Sequence, residues 1–289
     1  MPSCAFLSIA NTHGWFIDDD LVHAPLRELG WNVMNIPWDQ DANWEKYDVV
    51  VIRSAWDYQD HLSDFIEVLQ SIDRSGAILL NELDIVRWNI NKNYLFDLEN
   101  RGVEIIPSIS FHSPGKQDIL NAFDELNSEE LIIKPIIGAN ADDTYRLYPD
   151  QAESMDDILD CFNDRTCLIQ PFIKNIIDEG EFSVMYFNGQ VSHTVLKTAR
   201  KGDYRIQEEH GGGVHTVQRP NRSLLKEADR AMSALEFTPL YARVDLIRTQ
   251  QNGFALMELE LIEPSLYFRF DKESVSRFAR CIHDRYTGQ

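Results

Sequence analysis

Three acidic side chains stand near the end of the chain, in a stretch whose other residues are typical of β-strands. Asp245 belongs to one apolar run, and Glu258 and Glu260 belong to the next, with a polar turn at 250–253 between them. Residues two apart on a strand share a face, so Glu258 and Glu260 point the same way, and Asp245 lies on the strand predicted to pair with theirs. Clustered carboxylates repel one another unless a cation lies among them. Ligands that are all oxygen favour a hard ion, above all Mg²⁺.

A solvated hairpin face is the alternative explanation of these acids, but residues upstream favour the metal site. Lys134 follows three aliphatic residues in the run 131–135. Burying an unpaired ammonium there would be costly, so its tip needs an anion or water. The turn 138–141 consists of small residues, including one glycine, that would let backbone N–H groups approach phosphate oxygens. These features together predict a site for Mg²⁺ and a phosphate-bearing ligand.

Residues 1–82 alternate short apolar runs with amphipathic patterns, as in a small parallel α/β sheet. No GxGxxG follows the first run, so a dinucleotide site is not predicted. Segment 53–58 lies at the carboxyl end of a predicted strand, where open α/β sheets bind ligands. We expect Arg53 to bind a substrate carboxylate and Trp56 and Tyr58 to line the pocket. The equally weighted alternative is that Arg53 pairs with a local acid and that Trp56 belongs to the core.

A second basic region follows a predicted hairpin. The pair Asn188-Gly189 is a strong two-residue turn signal, and Lys197 ends the second strand. The stretch 199–215 is polar, basic and rich in glycine. We expect Arg205 and the glycine run that contains Gly212 to close over phosphates and the second substrate, because glycine permits close backbone approach to a ligand. The alternative is a mobile surface loop.

The composition of the chain limits the kinds of molecule that it is expected to bind. The chain has 47 acidic residues against 27 Lys and Arg, a formal charge of −20, which argues against nucleic acid or an anionic membrane as the main partner. The sequence shows neither a secretory leader nor an apolar run long enough to span a bilayer, and its four cysteines lack CxxC spacing. We therefore expect a cytoplasmic protein with free thiols that acts on a small molecule. A homo-oligomer is left open.

In their order along the chain, these features resemble the ATP-grasp superfamily. The likeness rests on Lys92 in an NK pair, Lys134 in LIIKP, QPFI at 170–173, Glu181 in GEFS, the basic glycine-rich loop, and Asp245 with Glu258-x-Glu260 before Pro264. It covers nearly the whole chain and is nearest to prokaryotic glutathione synthetase and RimK-like ligases. The tail MELELIEPSLYF is similar to cyclo-ligases of the cycloserine pathway.

The resemblance implies an α/β fold, α+β in the ATP-binding part. Its parts would be an N-terminal parallel α/β domain at 1–82, the pre-ATP-grasp domain, then a central ATP-grasp subdomain at 83–165 and a C-terminal subdomain with the metal site at 166–289.

The resemblance also implies roles for the matching residues. Lys92 and Lys134 would contact the nucleotide phosphates, and Glu181 would bind the ribose hydroxyls. The adenine would be held by Gln170, Pro171, Phe172 and Ile173. Lys197 and Arg205 would be catalytic, reaching phosphate or an acyl phosphate. Asp245, Glu258 and Glu260 would bind Mg²⁺, for which Mn²⁺ could substitute.

The activity implied is an ATP- and Mg²⁺-dependent ligase that joins a carboxylate to an amine on a small amino-acid or peptide-like substrate. ATP would convert the carboxylate to an acyl phosphate, an amine would attack it, and ADP and phosphate would be released. Positioning and charge suffice for this chemistry, and no protein nucleophile is required. Two alternatives stay open, an intramolecular cyclo-ligase and a noncatalytic nucleotide-binding regulator.

Overall fold

The computed structural model describes residues 1–150 and 155–288. Its first sheet is parallel, with strands β1 (Ser3–Ser8), β2 (Asn32–Pro37), β3 (Val49–Ser54) and β4 (Ile78–Leu80) in the order β2-β1-β3-β4. Helices α1 (His23–Glu28) and α2 (Leu62–Ser75) connect these strands. The apolar stripe of α2 is buried at Phe65, Leu69 and Ile72, and the helix ends at Gly76, whose φ is 88°. The predicted parallel α/β unit is confirmed.

A second, antiparallel sheet has the order β5-β8-β6-β7. Its strands are β5 (Ile109–His112), β6 (Leu131–Pro135), β7 (Tyr145–Leu147) and β8 (Thr166–Pro171), and helices α5 (Lys116–Glu125) and α6 (Asp156–Cys161) contribute to its apolar core. The sequence predicts a helix over 151–162, of which 151–154 lie outside the described residues. Strand β8 pairs with β5 and β6 and so belongs to the second sheet. The predicted boundary between the central and C-terminal subdomains, at 165, would separate β8 from that sheet, whereas a boundary after 171 would keep the sheet whole. The domain limits stay a prediction.

The third sheet, β11-β10-β9-β12-β13, is antiparallel. It consists of β9 (Glu181–Phe187), β10 (Gln190–Thr198), β11 (Gly213–Thr216), β12 (Tyr241–Arg248) and β13 (Phe254–Glu260). The predicted β9–β10 turn is confirmed: Asn188 and Gly189 have φ of 47° and 74°, as a turn with two left-handed residues requires. The predicted β12–β13 hairpin is confirmed as well. Helix α8 (Arg222–Ser233) packs on this hairpin.

Residues from distant parts of the chain join the first and third sheets. Helix α9 (Ser274–Thr287) packs against α1, β9 and β10. The side chain of Asn81, just after β4, accepts from the Leu240 N–H (2.6 Å) and donates to the carbonyls of Tyr241 (2.9 Å) and Leu261 (2.8 Å). The end of the parallel sheet is thereby fixed beside the β12–β13 hairpin.

Three short helices complete the described elements. Helices α3 (Leu83–Asn89) and α4 (Tyr94–Asn100) follow the first sheet, and α7 (Asn175–Asp178) precedes β9. All four cysteines are free thiols, as expected. Over the described residues, no helix is long and apolar enough to cross a membrane.

Candidate active site

A cavity of about 260 Å³ is lined by residues from the second and third sheets and from loops, including the segment 56–58 that follows β3. Part of its wall is apolar: Ile106, Ile176 and Ile247 belong to one hydrophobic cluster, against which Ile132 and Met257 pack. A second part carries charged side chains from β9, β10, β12 and β13, and an aromatic part contains Trp15, Trp56, Tyr58 and Tyr267 together with Glu263. A cavity with both an apolar wall and a charged wall suits a ligand that has a flat base and a string of phosphates.

The four residues predicted to hold adenine line the cavity, and two of them, Phe172 and Ile173, belong to its apolar wall. The four are Gln170, Pro171, Phe172 and Ile173, at the end of β8. The side chain of Gln170 is buried and donates to the Ser108 hydroxyl at 2.8 Å, and the Phe172 N–H donates to the Glu130 carbonyl at 2.8 Å. These bonds fix the direction in which the segment leaves the strand. The sequence-based prediction missed the apolar wall around the segment, because its residues come from four separate parts of the chain.

The β12–β13 register brings the acidic residues together on the cavity floor. Asp245 lies opposite Glu258, and Arg243 lies opposite Glu260. Residues two apart share a strand face, so these four side chains form one patch of three carboxylates and one guanidinium, and all four line the cavity. Arg243 was missed from the sequence. Its spacing two residues before Asp245 is the signal that could have identified it.

Cations already neutralise this floor. The Arg243 guanidinium donates to Asp245, with Nη2 to Oδ2 at 2.9 Å, and to Glu260. Lys197 Nζ lies 3.0 Å from Asp245 Oδ2 and 2.5 Å from Glu181 Oε1, and the Ser183 hydroxyl donates to Asp245 Oδ1 at 2.6 Å. Lys197, predicted as catalytic, thus bridges Asp245 and Glu181 at the centre of the cavity.

Lys92 reaches the same floor from the connection between α3 and α4. The Asn89 amide accepts from the Leu261 N–H (2.9 Å) and donates to the Leu259 carbonyl (2.8 Å), so the connection is attached along β13. Lys92 Nζ lies 3.2 Å from Glu258 Oε1 and donates to the Gly138 carbonyl at 2.6 Å. Lys134 also lines the cavity, from β6. Both lysines predicted to bind phosphates therefore face one space.

The electrostatics of the floor follow from burial and pairing. Burial would raise the pKa of Asp245, but Arg243 and Lys197 hold it below its usual value. Burial would also raise the pKa of Glu258, but Lys92 and Lys134 hold it below its usual value. Burial raises the pKa of Glu260 to about 7 despite Arg243, and it lowers the pKa of Lys134. Burial also raises the pKa of Glu181 to about 7, although Glu181 pairs with Lys197. At Glu181, Glu260 and Lys134, burial therefore outweighs the opposing charges nearby.

Over residues 1–150 and 155–288, no three His, Cys, Asp or Glu side chains converge as a ready metal site. The carboxylates of Asp245, Glu258 and Glu260 are bonded instead to Arg243, Lys197 and Lys92. Their chemistry still fits Mg²⁺, because the donors are all carboxylate oxygens and lie beside cations suited to phosphate. The metal assignment stays a prediction.

The loop 199–212 forms part of the cavity rim. Arg205 lines the cavity and pairs with Asp203, with Nη2 to Oδ2 at 2.9 Å; these bonds hold the pKa of Asp203 well below its usual value. Gly212 does not line the cavity. A Cβ there would lie 2.1 Å from the Ile206 carbonyl oxygen, so this glycine permits close packing within the loop. Its predicted contact with substrate is not supported.

In the aromatic part, Trp56 and Tyr58 line the cavity as predicted, but Arg53 does not. Arg53 is 1% exposed, pairs with Asp19 at 3.0 Å and donates to the Pro264 carbonyl at 2.9 Å. The structure therefore contradicts the prediction that Arg53 binds a substrate carboxylate. Arg53 pairs with an acid, as the alternative expected, but that acid lies 34 residues away along the chain and is not local. Its partner lies on a segment that no sequence pattern placed there. Trp15, whose ring centroid is 5.1 Å from that of Trp56, was also missed.

The fold of this chain is similar to that of solved ATP-grasp ligases. Residues 4–81 match the family model described as "D-cycloserine synthetase DcsG, N-terminal domain". The chain is 26% identical over 272 residues to the cycloserine biosynthesis protein DcsG of Streptomyces lavendulae, covering 90% of each chain.

Solved structures agree on the fold. The crystal structure of D-cycloserine synthetase DcsG superposes with a TM-score of 0.85 and 24% identity, covering 98% of this chain and 99% of that one. The ATP-grasp ligase PsnB, complexed with a phosphomimetic variant of its minimal precursor, Mg and ADP, gives a TM-score of 0.67 and 14% identity, covering 98% of both chains. The predicted fold class is confirmed.

Proposed function

We propose that this protein is an ATP- and Mg²⁺-dependent ligase that activates a carboxylate as an acyl phosphate and forms a carbon–nitrogen bond. One observation carries the proposal: the aligned patch of Arg243, Asp245, Glu258 and Glu260 lines the same cavity as an apolar wall and a group of aromatic side chains. These three kinds of wall would suit a base, phosphates and a second substrate. The structure of the PsnB ligase in complex with Mg and ADP supports the assignment of the nucleotide and the ion.

The residues predicted to bind the nucleotide and the metal ion each have a role in this scheme. Gln170 to Ile173 would hold the adenine, and Lys92 and Lys134 would neutralise the phosphates. Glu181 would bind the ribose hydroxyls after exchanging its bond with Lys197. Asp245, Glu258 and Glu260 would hold Mg²⁺, or Mn²⁺ in its place, which would neutralise charge on the transferring phosphoryl group.

The reaction requires two displacements. A carboxylate oxygen of the substrate attacks the γ-phosphorus, and the bond to the ADP oxygen breaks. A neutral nitrogen then attacks the acyl carbon, phosphate leaves with the C–O bonding pair, and the nitrogen loses a proton. Arg243 and Lys197, which line the cavity, would stabilise negative charge on the acyl oxygen and the departing phosphate. Closure of the loop with Arg205 would exclude water from the acyl phosphate.

Ring closure within one substrate molecule is the form of this reaction that we favour. The match to the DcsG N-terminal domain includes the segment with Trp56 and Tyr58, which lines the same cavity as the acidic floor. The product would then resemble D-cycloserine, with the activated carboxyl joined to a nitrogen of the same molecule. Joining two molecules is the second candidate, supported by the wider ATP-grasp ligases that share the fold. The cytoplasmic location and the oligomeric state stay predictions.

The test is ADP release with Mg²⁺ and a panel of D- and L-amino acids, offered singly and in pairs. It should include amino acids whose side chain ends in a hydroxylamine-type nitrogen. ADP release with a single substrate, together with a product lighter by one water, would establish cyclisation. Release only with pairs would establish ligation. A protein that binds ATP but never forms ADP would be the noncatalytic regulator, and the proposal would be wrong.

A further inference from the structure

Arg269 does not line the cavity, but its side chain joins two segments that do. The guanidinium pairs with Asp18, with Nη1 to Oδ2 at 3.2 Å, and with Glu208 through Nη2. The Arg269 backbone N–H also donates to Asp18 Oδ2, at 3.1 Å. Asp18 belongs to the segment 15–18, which follows β1, and Glu208 belongs to the loop 199–212. We call these three residues the Arg269 bridge.

Each of the joined segments contributes side chains to the cavity wall. Trp15, three residues before Asp18, lines the aromatic part, and its ring centroid is 5.1 Å from that of Trp56. The loop contributes Arg205 and Glu208. A bond between Asp18 and Glu208 through one guanidinium therefore limits how far the loop can move from the segment that carries Trp15.

The Arg269 bridge is shielded from bulk water. The side chains of Asp18, Glu208 and Arg269 are 9%, 19% and 29% exposed, and the Phe270 ring centroid is 4.9 Å from the guanidinium carbon. Burial would lower the pKa of Arg269, but Glu208 and Asp18 raise it above its usual value. Ion pairs that are partly buried are screened less by salt than surface pairs. The planar guanidinium also offers one terminal nitrogen to each carboxylate, in directions that a lysine ammonium does not fix.

The loop 199–212 is bonded on another side to the turn between β6 and β7. The Tyr204 hydroxyl donates to the Thr144 carbonyl at 3.2 Å, and His210 Nε2 lies 3.3 Å from the Asn140 carbonyl oxygen. This turn contains the small residues that are predicted to approach phosphate oxygens. The loop thus connects the predicted phosphate-binding turn to the segment 15–18, and Arg269 makes the second of these connections.

We propose that the Arg269 bridge holds the loop 199–212 closed beside the segment 15–18 and thereby keeps water away from the acyl phosphate. The inference deepens the proposed ligase function and rests on it. Water that reached the acyl carbon would break its bond to the phosphate oxygen and release carboxylate, phosphate and a proton. ATP would then be consumed without a C–N bond being formed. Arg269 is a positioning residue, because it acts on the cavity through Asp18 and Glu208.

The first measurement is the rate of tryptic cleavage after Lys201 and Arg205, both in the loop. The variants are Arg269→Met, which removes both ion pairs, and Glu208→Gln, which removes the charge of the loop partner. Arg277→Met is the matched control, because Arg277 is 35% exposed and also pairs with two acids but lies outside the loop. Thermal melting establishes that each variant is folded, and mass spectrometry identifies the bond that is cut.

We expect Arg269→Met and Glu208→Gln each to raise the cleavage rate about tenfold, since proteolysis follows the population of the open loop and a hydrogen bond to a charged group has this scale. The double variant should be cleaved no faster than Arg269→Met, because both changes break the same bridge. Arg277→Met should be cleaved at the wild-type rate. A wild-type rate for Arg269→Met, or a full additional increase in the double variant, would overturn the inference.

The second measurement is the amount of ADP released per product molecule, with a substrate found by the ADP-release panel. This ratio should rise in Arg269→Met and Glu208→Gln and stay at the wild-type value in Arg277→Met. A purely structural role of Arg269 would slow both processes together, and an unchanged ratio would therefore overturn the inference. If the wild type released no ADP with any substrate, the proposed function would fail, whereas the cleavage rates would still decide whether Arg269 holds the loop.

Discussion

Two regions of this molecule are built around a buried arginine, and they differ in what surrounds it. Arg243 lies on the cavity floor and bridges Asp245 and Glu260, whose carboxylates line the cavity. Arg53 is enclosed between Asp19, the Pro264 carbonyl and the rings of Tyr241 and Phe278, at 5.0 and 5.7 Å from the two ring centroids. A buried arginine indicates a catalytic or binding role only where the carboxylates that it pairs with also line a cavity. The Arg53 pair instead holds the first sheet against the C-terminal segment.

The largest effect is expected on the floor. Replacing Glu258 by Gln should remove a Mg²⁺ ligand and also leave Lys92 without its carboxylate partner. Metal-assisted charge stabilisation contributes several kcal/mol, so turnover should fall by at least about 1000-fold. ADP release across a magnesium titration measures it. Full activity at any magnesium concentration would contradict the metal assignment, and Glu236→Gln, 81% exposed, controls for a general effect of lost charge.

The enclosed arginine should affect stability instead of catalysis. Arg53→Ala leaves Asp19 buried without its cation, and breaking one side of a buried pair costs about 3–5 kcal/mol. Urea denaturation measures this loss. The KM for the amino-acid substrate should stay unchanged at temperatures where the variant is folded. Removing both charges, as Arg53→Met with Asp19→Asn, should restore part of the loss. A rise in KM without loss of stability would return Arg53 to the substrate site.

The same comparison explains how much could be predicted from the sequence. Asp245, Glu258 and Glu260 were predictable because the two-residue period of a strand and a short turn decide which side chains share a face. The alternation of β-runs and helices predicted the parallel sheet for the same local reason. Arg53 was not predictable, because Asp19 and Pro264 reach it from 34 and 211 residues away along the chain. The rule that ligands bind at carboxyl ends of strands correctly placed Trp56 and Tyr58, whose side chains follow the strand end.

A smaller effect, on ATP binding, is expected at Lys134. Unlike Arg53 and Arg243, Lys134 has no carboxylate among the described residues within 4.0 Å of its ammonium. Burial lowers its pKa, so a nucleotide phosphate is the partner it lacks. Lys134→Met should weaken ATP binding by about 1–3 kcal/mol, the scale of a hydrogen bond to a charged group, with no loss of stability. Calorimetry measures the affinity. Lys174→Met, at a side chain 69% exposed, should leave it unchanged, and equal affinities for all three proteins would remove Lys134 from the nucleotide site.

The smallest effect concerns the cost of assembling the acidic floor without metal. Burial raises the pKa of Glu260 to about 7, above the value of about 4.3 for an exposed glutamate. Between these values the folded state binds more protons than the unfolded state, so the free energy of unfolding should fall as pH rises from about 5 to 7. Glu260→Gln removes this group, and the decline should become shallower by an amount on the order of 1 kcal/mol, since one unit of pKa shift corresponds to about 1.4 kcal/mol. Urea denaturation in EDTA at several pH values measures both slopes. Adding Mg²⁺ with ADP should make the wild-type free energy of unfolding less dependent on pH, because the ion takes the place of the proton on the Glu260 carboxylate. It should leave the pH dependence of Glu260→Gln nearly unchanged, because that variant lacks the carboxylate. If both proteins declined equally with pH in EDTA, Glu260 would be fully neutralised by Arg243, and the floor would resemble the Arg53 pair after all.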